Sequence, residues 1–180
     1  MINPFPPLPA LRHLGELADR LPQIVIDTRE QDPLPITRLP VIRVEGLTTG
    51  DYSIAGLESV FSIERKSIVD LVSCCVDSNR DRFERELNRL RGYRFKRLLV
   101  VGQRCEIELK RYRSAIAPAA VIGTLAAFEA RYDIQVVYGN TPEKSADLVE
   151  RWAWYFAREC VECVNNLFRN TVSPTPPPKS

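Results

Sequence analysis

Between Val60 and Val72 the apolar spacing of this chain changes period. Residues 60–64 (VFSIE) alternate as a strand does, whereas Ile68, Val69, Leu71 and Val72 recur as on a helix. Ser67, suited to capping a helix, stands at the changeover. A strand running straight into a helix belongs in a sheet with a helical layer against it. The rest of the chain supplies that sheet: IVID at 24–27, VIRVE at 41–45, DYSIA from Asp51, RLLVVG at 97–102 and IQVVY at 134–138. The run RLLVVG is almost continuously apolar, as a central strand is. Between and after these, Phe83, Leu87 and Leu90 mark a helix that follows the Asp77-Ser78-Asn79 break and ends at Gly92. A loop or short helix carries EIELKRYR, Pro118 opens an alanine-rich helix, and Pro142 leads into a long helix through about Phe168. The first four strands read as a meander joined by polar turns. This order predicts an α/β fold with a mixed sheet and helices on both faces.

Size and composition bound the answer. The 180 residues, 44% hydrophobic and 27% charged, suit one globular domain. We expect that domain over residues 23–168, with a proline-rich arm and short helix at 1–22 and a disordered proline-rich tail at 169–180. No apolar run is long enough for a bilayer, and the N-terminus lacks the pattern of a signal peptide, so no membrane partner and a cytosolic location (at the nucleoid in a bacterium) are expected. Five cysteines without an export signal argue against a disulfide framework. Against zinc ligation, Cys74 and Cys75 lack the spaced-knuckle pattern, and they and the Cys160/Cys163 pair fall in apolar helical surroundings, so buried free thiols are the better reading. His13 is the sole histidine and lies far in sequence from the acids, which leaves a serine–histidine hydrolase without support.

Chemistry concentrates between Gly50 and Asp70. Glu64 and Lys66 project from one face of their strand, about 6.5 Å apart along the backbone, and Arg65 from the other. If the strand headed by Asp51 pairs with this one, two carboxylates and an ammonium converge. Such a set suits hydrolysis of a phosphodiester, with the carboxylates holding a hard divalent cation and the lysine balancing charge near the attacking water. Asp27, at the C-terminal end of the first strand, is a third candidate ligand, so that Asp27, Asp51 and Glu64 would cage one or two Mg²⁺. Arg29 and Arg65 are candidates for phosphate. Asp70 is expected either to tie down Arg65 or Lys66 or to favour the N-terminus of its helix. Net charge is only +2, but a basic run from Arg80 to Arg113 would favour a polyanion. Its Arg82 and Glu86 are spaced for an i,i+4 ion pair.

Gly50-Asp51 followed by Glu64-Arg65-Lys66-Ser67-Ile68-Val69-Asp70 resembles the GD…ERKxxxD signature of XPF-type structure-specific endonucleases. VIDTRE, with Asp27, Arg29 and Glu30, resembles their first-strand element, and Arg82-Phe83 with Glu86 their R-F-x-x-Q/E helix. The resemblance covers residues 23–165. It implies a restriction-endonuclease-like fold of the PD-(D/E)xK superfamily, in a single domain. It also implies Mg²⁺, or Mn²⁺ in its place, on Asp51 and Glu64, and Lys66 as catalytic base or electrostatic stabiliser. Arg65 and Asp70 complete the expected catalytic set, and Arg29, Arg80 and Arg82 the expected substrate contacts. The implied substrate is branched, flapped or forked DNA. Family members usually add tandem helix-hairpin-helix repeats that grip duplex, and this sequence shows no second pair of glycine-containing hairpins. Grip is then expected from a partner protein, a dimer or the basic run. Trp152, Trp154, Tyr155 and Phe156 nearly encircle the long helix, which favours a homodimer or partner contact there. Two alternatives share these residues: a non-catalytic scaffold or DNA-binding subunit of a nuclease complex, and a restriction-type enzyme that reads sequence.

Overall fold

The computed structural model describes residues 20–44 and 46–169. The short N-terminal helix, His13 and the proline-rich tail lie outside them. The strands are β1 (Ile24–Asp27), β2 (Val41–Val44), β3 (Tyr52–Ile54), β4 (Phe61–Ser67), β5 (Phe95–Val101) and β6 (Gln135–Tyr138). The helices are α1 (Ile68–Ser73), α2 (Asp77–Leu90), α3 (Arg104–Glu108), α4 (Pro118–Tyr132) and α5 (Pro142–Arg169). The strands form one mixed sheet in the order β2-β1-β3-β4-β5-β6, with helices on both faces as expected. Ser67 caps α1, its side chain accepting from the Asp70 N–H. Among the described residues no helix is long and apolar enough to cross a membrane.

The meander is not what forms. β2 runs parallel to β1 at the sheet edge, and β3 inserts antiparallel between β1 and β4. A parallel return needs a crossover of about a dozen residues, and the stretch 28–40 is that crossover rather than a tight turn. β4 also extends past its expected end at Glu64, because its parallel ladder with β5 continues to Ser67↔Val101. Glu64, Arg65 and Lys66 therefore sit inside a paired strand, which fixes their facing. The Asp77-Ser78-Asn79 break is the start of α2.

Alternation along β5 divides the core. Leu99 faces one cluster with Ile24, Ile26, Phe61, Ile63 and the α5 residues Ala146, Val149, Ala153 and Phe156. Leu98 and Val100 face the other, with Leu71, Phe83, Leu87, Val121 and Phe128 from α1, α2 and α4. The α5 residues recur every three or four positions, the spacing of a single buried stripe. Trp154 belongs to that cluster and Trp152 packs at its edge, while Tyr155 is 59% exposed, so the aromatics do not all face the core.

The crossover is held by one buried acid. Glu150 of α5 is 1% exposed, and its Oε1 accepts from the backbone N–H groups of Thr37, Arg38 and Leu39. Its Oε2 accepts from Arg38 Nε at 2.8 Å. Glu150→Ala would strand those backbone donors and remove one of the two acids on Arg38, leaving Asp147 as the other, at about 3 kcal/mol. Urea unfolding should register that loss. A change below about 1 kcal/mol would mean that another contact secures the crossover.

Candidate active site

Gly50 makes the turn into β3 at φ +80°, a conformation side chains disfavour. A Cβ at this position would lie 2.1 Å from Ser62 Oγ and 3.1 Å from the Ile63 carbonyl oxygen, so β4 leaves no room for another residue. The close approach lets the next residue bridge two strands. The Asp51 N–H donates to the Ile63 carbonyl at 2.9 Å, and its own carbonyl accepts from the Asp27 N–H at 3.0 Å. With its backbone bonded on both sides, Asp51 turns its carboxylate along β4. There Oδ2 accepts from the Arg65 N–H at 2.7 Å. Burial raises the Asp51 carboxyl to about 6, against the pull of that hydrogen bond and of the Lys66 charge.

Glu64 is 2% exposed, with Oε1 against Lys66 Nζ and Oε2 buried without a hydrogen-bond partner. Burial, then the charge of Asp51, pushes its carboxyl well above the ordinary value. Burial works against the Lys66 charge, but the Glu64 carboxylate outweighs it, and Lys66 is held as an ammonium. Its Nζ also lies 5.3 Å from the centroid of the Phe83 ring. In front of these groups opens a cavity of about 370 Å³ lined by residues including Arg29, Asp51, Lys66, Asp70, Arg82 and Glu86. Phe83 points α2 into the core at 2% exposure, and Arg82 and Glu86, four residues apart, flank the cavity.

Four other expected site residues take partners of their own. Asp27 is 1% exposed and takes four N–H donors: the Arg29 backbone, Arg29 Nε, Arg29 Nη2 and the Leu47 backbone, at 2.7–2.9 Å. The Arg29 side-chain bond, chief among these, lowers its carboxyl to about 2. Arg65 bonds Asp32 Oδ2 at 2.5 Å and lies 3.6 Å from Glu30 Oε1. Asp70 accepts from Ser67 Oγ at 2.6 Å. Arg80 pairs with Glu84 and lies over the Phe128 ring, away from the cavity.

The ERCC4 domain model matches residues 26–151, well over half of the chain. The chain belongs to the ERCC4-domain family. Among solved structures the fold of this ERCC4 domain is similar to XPF from Aeropyrum pernix, with a TM-score of 0.61 and 22% identity over 79% of this chain and 68% of that one. It is also similar to XPF from Aeropyrum pernix in complex with DNA, with a TM-score of 0.56 and 21% identity over 77% of this chain and 66% of that one. The chain thus spans about two thirds of the structures it matches. No match was found among curated proteins.

Set against the sequence, this ERCC4 domain gathers Asp51, Glu64, Lys66, Arg29, Arg82 and Asp70 in or just behind one cavity. It does not gather Arg80, whose place on α2 turns it to the opposite side of the helix. Asp27 fits poorly as a metal ligand, because each of its oxygens already accepts two N–H donors. Asp70 serves the helix N-terminus and bonds Ser67, not Arg65 or Lys66. Arg65 is 13% exposed and ties the segment carrying Glu30 and Asp32 to β4, so it positions the wall of the cavity. The basic run splits: Arg94 and Arg97 lie over Phe156 and Phe95 on the α5 side, and the i,i+4 ion pair of α2 joins Arg80 to Glu84, not Arg82 to Glu86. The cysteine pairs also separate. Cys75 packs with α1 and α2, whereas Cys160 packs on the α5 face, and Cys163 is exposed rather than buried.

Glu86, expected as the ion-pair partner of Arg82 and as part of the R-F-x-x-Q/E helix, has a place at the site instead. It lines the cavity, and its charge acts on Asp51, Glu64 and Lys66. Its place four residues after Arg82 on a helix anchored by Phe83 was the available signal. Among the described residues no three His, Cys, Asp or Glu side chains converge as a finished cation cage. The chemistry of the donors nonetheless suits a hard cation: the partnerless Oε2 of Glu64 and the disfavoured charge on Asp51 are both relieved by one.

Proposed function

We propose that this domain is a divalent-metal-dependent endodeoxyribonuclease that hydrolyses phosphodiesters in branched or flapped DNA. The observation that carries the reading is the buried Glu64 oxygen without a partner, beside a second disfavoured carboxylate and a fixed ammonium. Asp51 and Glu64 would hold Mg²⁺, with Mn²⁺ able to substitute. Bound there, the cation supplies a lowered pKa for water and charge neutralisation at the phosphate. Lys66, against Glu64 at the cavity, acts as catalytic base or electrostatic stabiliser. Arg29 and Arg82 on the cavity wall receive the flanking phosphates. Glu86, one turn after Arg82 on α2, adds an acidic acceptor to the same wall. Retention of both acids and the lysine weighs against a scaffold role. One of the two similar structures is a complex with DNA, which supports DNA as the substrate here.

The test is cleavage of labelled flap, fork, nicked and linear DNA with Mg²⁺, Mn²⁺ or chelator. Wild type should cut a branched substrate, and Asp51→Ala and Lys66→Ala should each lose about a hundredfold to a thousandfold or more. Equal cutting by all three proteins, or preferential cutting of linear duplex, would sink the proposal.

Association through α5 belongs to the same proposal. Tyr155, Val164 and Leu167 expose apolar surface on this helix at 59%, 40% and 64%. Light scattering at tens of micromolar should give the mass of a dimer, and a monomer mass would return that role to a partner protein.

A further inference from the structure

A second cavity adjoins the first. It measures about 660 Å³ and is lined by Val69, Val72, Val76, Arg111, Tyr112 and Arg113, among others. Ser73 and Asn79 line both cavities, and the hydrogen bond from Asn79 Nδ2 to Ser73 Oγ, 2.9 Å, forms the sill between them. Its floor is apolar, with Val72 of α1 buried and Val69, within the capping turn of the same helix, 68% exposed. Tyr112 is half-buried, and its hydroxyl donates to the Ile116 carbonyl at 3.0 Å, which fixes the ring at the wall. Arg111 and Arg113 on either side are exposed. Neither takes part in the ion pairs found among the described residues.

We propose that this groove holds an unpaired nucleotide of the DNA strand whose phosphodiester lies in the first cavity. An apolar floor with a fixed aromatic ring matches a base, whose faces are apolar and whose stacking is tolerant of sequence. The flanking guanidiniums match the phosphates on either side of it. A paired base cannot enter, because its face is already covered by its neighbours in the duplex. The groove thereby gives the domain a means of preferring a site next to single strand, within its own residues. This rests on the nuclease reading above and deepens it.

The experiment compares a fluorescent forked DNA bearing an unpaired oligothymidine arm with the same duplex lacking the arm. Anisotropy is recorded on the full chain in chelator, and cleavage is recorded separately with Mg²⁺. Tyr112→Ala and Arg113→Ala should each weaken binding of the armed fork about tenfold and leave the armless duplex unchanged. Tyr112→Phe, which keeps the ring, should bind the armed fork like wild type. An arm in which thymine is replaced by 5-iodouracil should photocross-link wild type at Tyr112 or a neighbouring groove residue, a readout that needs no variant to fold. Equal weakening on both DNAs, or cross-links outside the groove, would overturn the proposal. If wild type bound the armed fork through this groove but cut nothing, the nuclease reading alone would fall.

Discussion

Asp51→Asn is expected to cut DNA at least about a thousandfold more slowly than wild type and, in chelator above neutral pH, to melt at a higher temperature. The first effect follows from removing a proposed cation ligand, where several kcal/mol of charge stabilisation is at stake and about 4 kcal/mol is a thousandfold. The second follows from burial. The folded protein holds the Asp51 carboxyl at about 6, against 3.8 ordinarily, so ionising it costs the fold up to about 3 kcal/mol. The sign is fixed by linkage. The folded state binds this proton more tightly, so the stability it confers is fully present below pH 3.8 and is lost as pH rises through about 6. Asparagine fits the same space and keeps an acceptor for the Arg65 N–H, while removing the charge. The variant's gain should be near zero at pH 4 and reach its full size above pH 7. About 2–4 °C per kcal/mol puts the shift at roughly 6–12 °C or less. Adding Mg²⁺ should reverse the ranking, because only wild type gains binding energy from the cation. Were the variant no more stable than wild type at pH 8 in chelator, the carboxylates would not be held against their preference.

The same strain explains how much of the site a sequence can carry. Asp51 and Glu64 could be matched as partners because strand alternation and one antiparallel pairing, Tyr52↔Ile63, determine where each side chain points. Ser67 as cap, and the helix behind it, are equally local. The order of strands is not local. Nothing between Thr28 and Pro40 announces a parallel return, because what holds it is Glu150, more than a hundred residues away, accepting from Thr37, Arg38 and Leu39. A loop of polar residues and prolines reads as a turn whether it reverses the chain or crosses over.

Charge runs mislead for a related reason. Arg80 and Arg82 differ by two positions on a helix, about 200° around its axis, so one pairs with Glu84 and the other lines the cavity. Between them the helix assigns opposite fates to two residues with the same chemistry. Glu86 lies near the azimuth of Arg82, and it enters the site for that reason. Asp27 shows the further limit: its position at a strand end was readable, whereas the four donors that occupy its oxygens depend on the fold of residues 29 and 47.

Asp27→Asn therefore offers the sharpest contrast to Asp51→Asn, with stability moving the opposite way. Its carboxyl is held at about 2, so the stability it confers is present above pH 3.8 and is lost as pH falls through about 2. Loss of that charge costs about 2.5 kcal/mol at neutral pH. An amide nitrogen facing N–H donors adds to it, because asparagine has one acceptor where Asp27 uses two, leaving the Leu47 N–H or part of the Arg29 fork unanswered. A total of about 3–4 kcal/mol should appear in urea unfolding at pH 7 and shrink toward pH 2. Cation binding should behave differently. If Asp27 anchors and Asp51 ligates, the rise in melting temperature on adding Mg²⁺ persists in Asp27→Asn and disappears in Asp51→Asn. Should Asp27→Asn fold as stably as wild type and lose its response to Mg²⁺, Asp27 would be a ligand and its grip on Arg29 and Leu47 incidental.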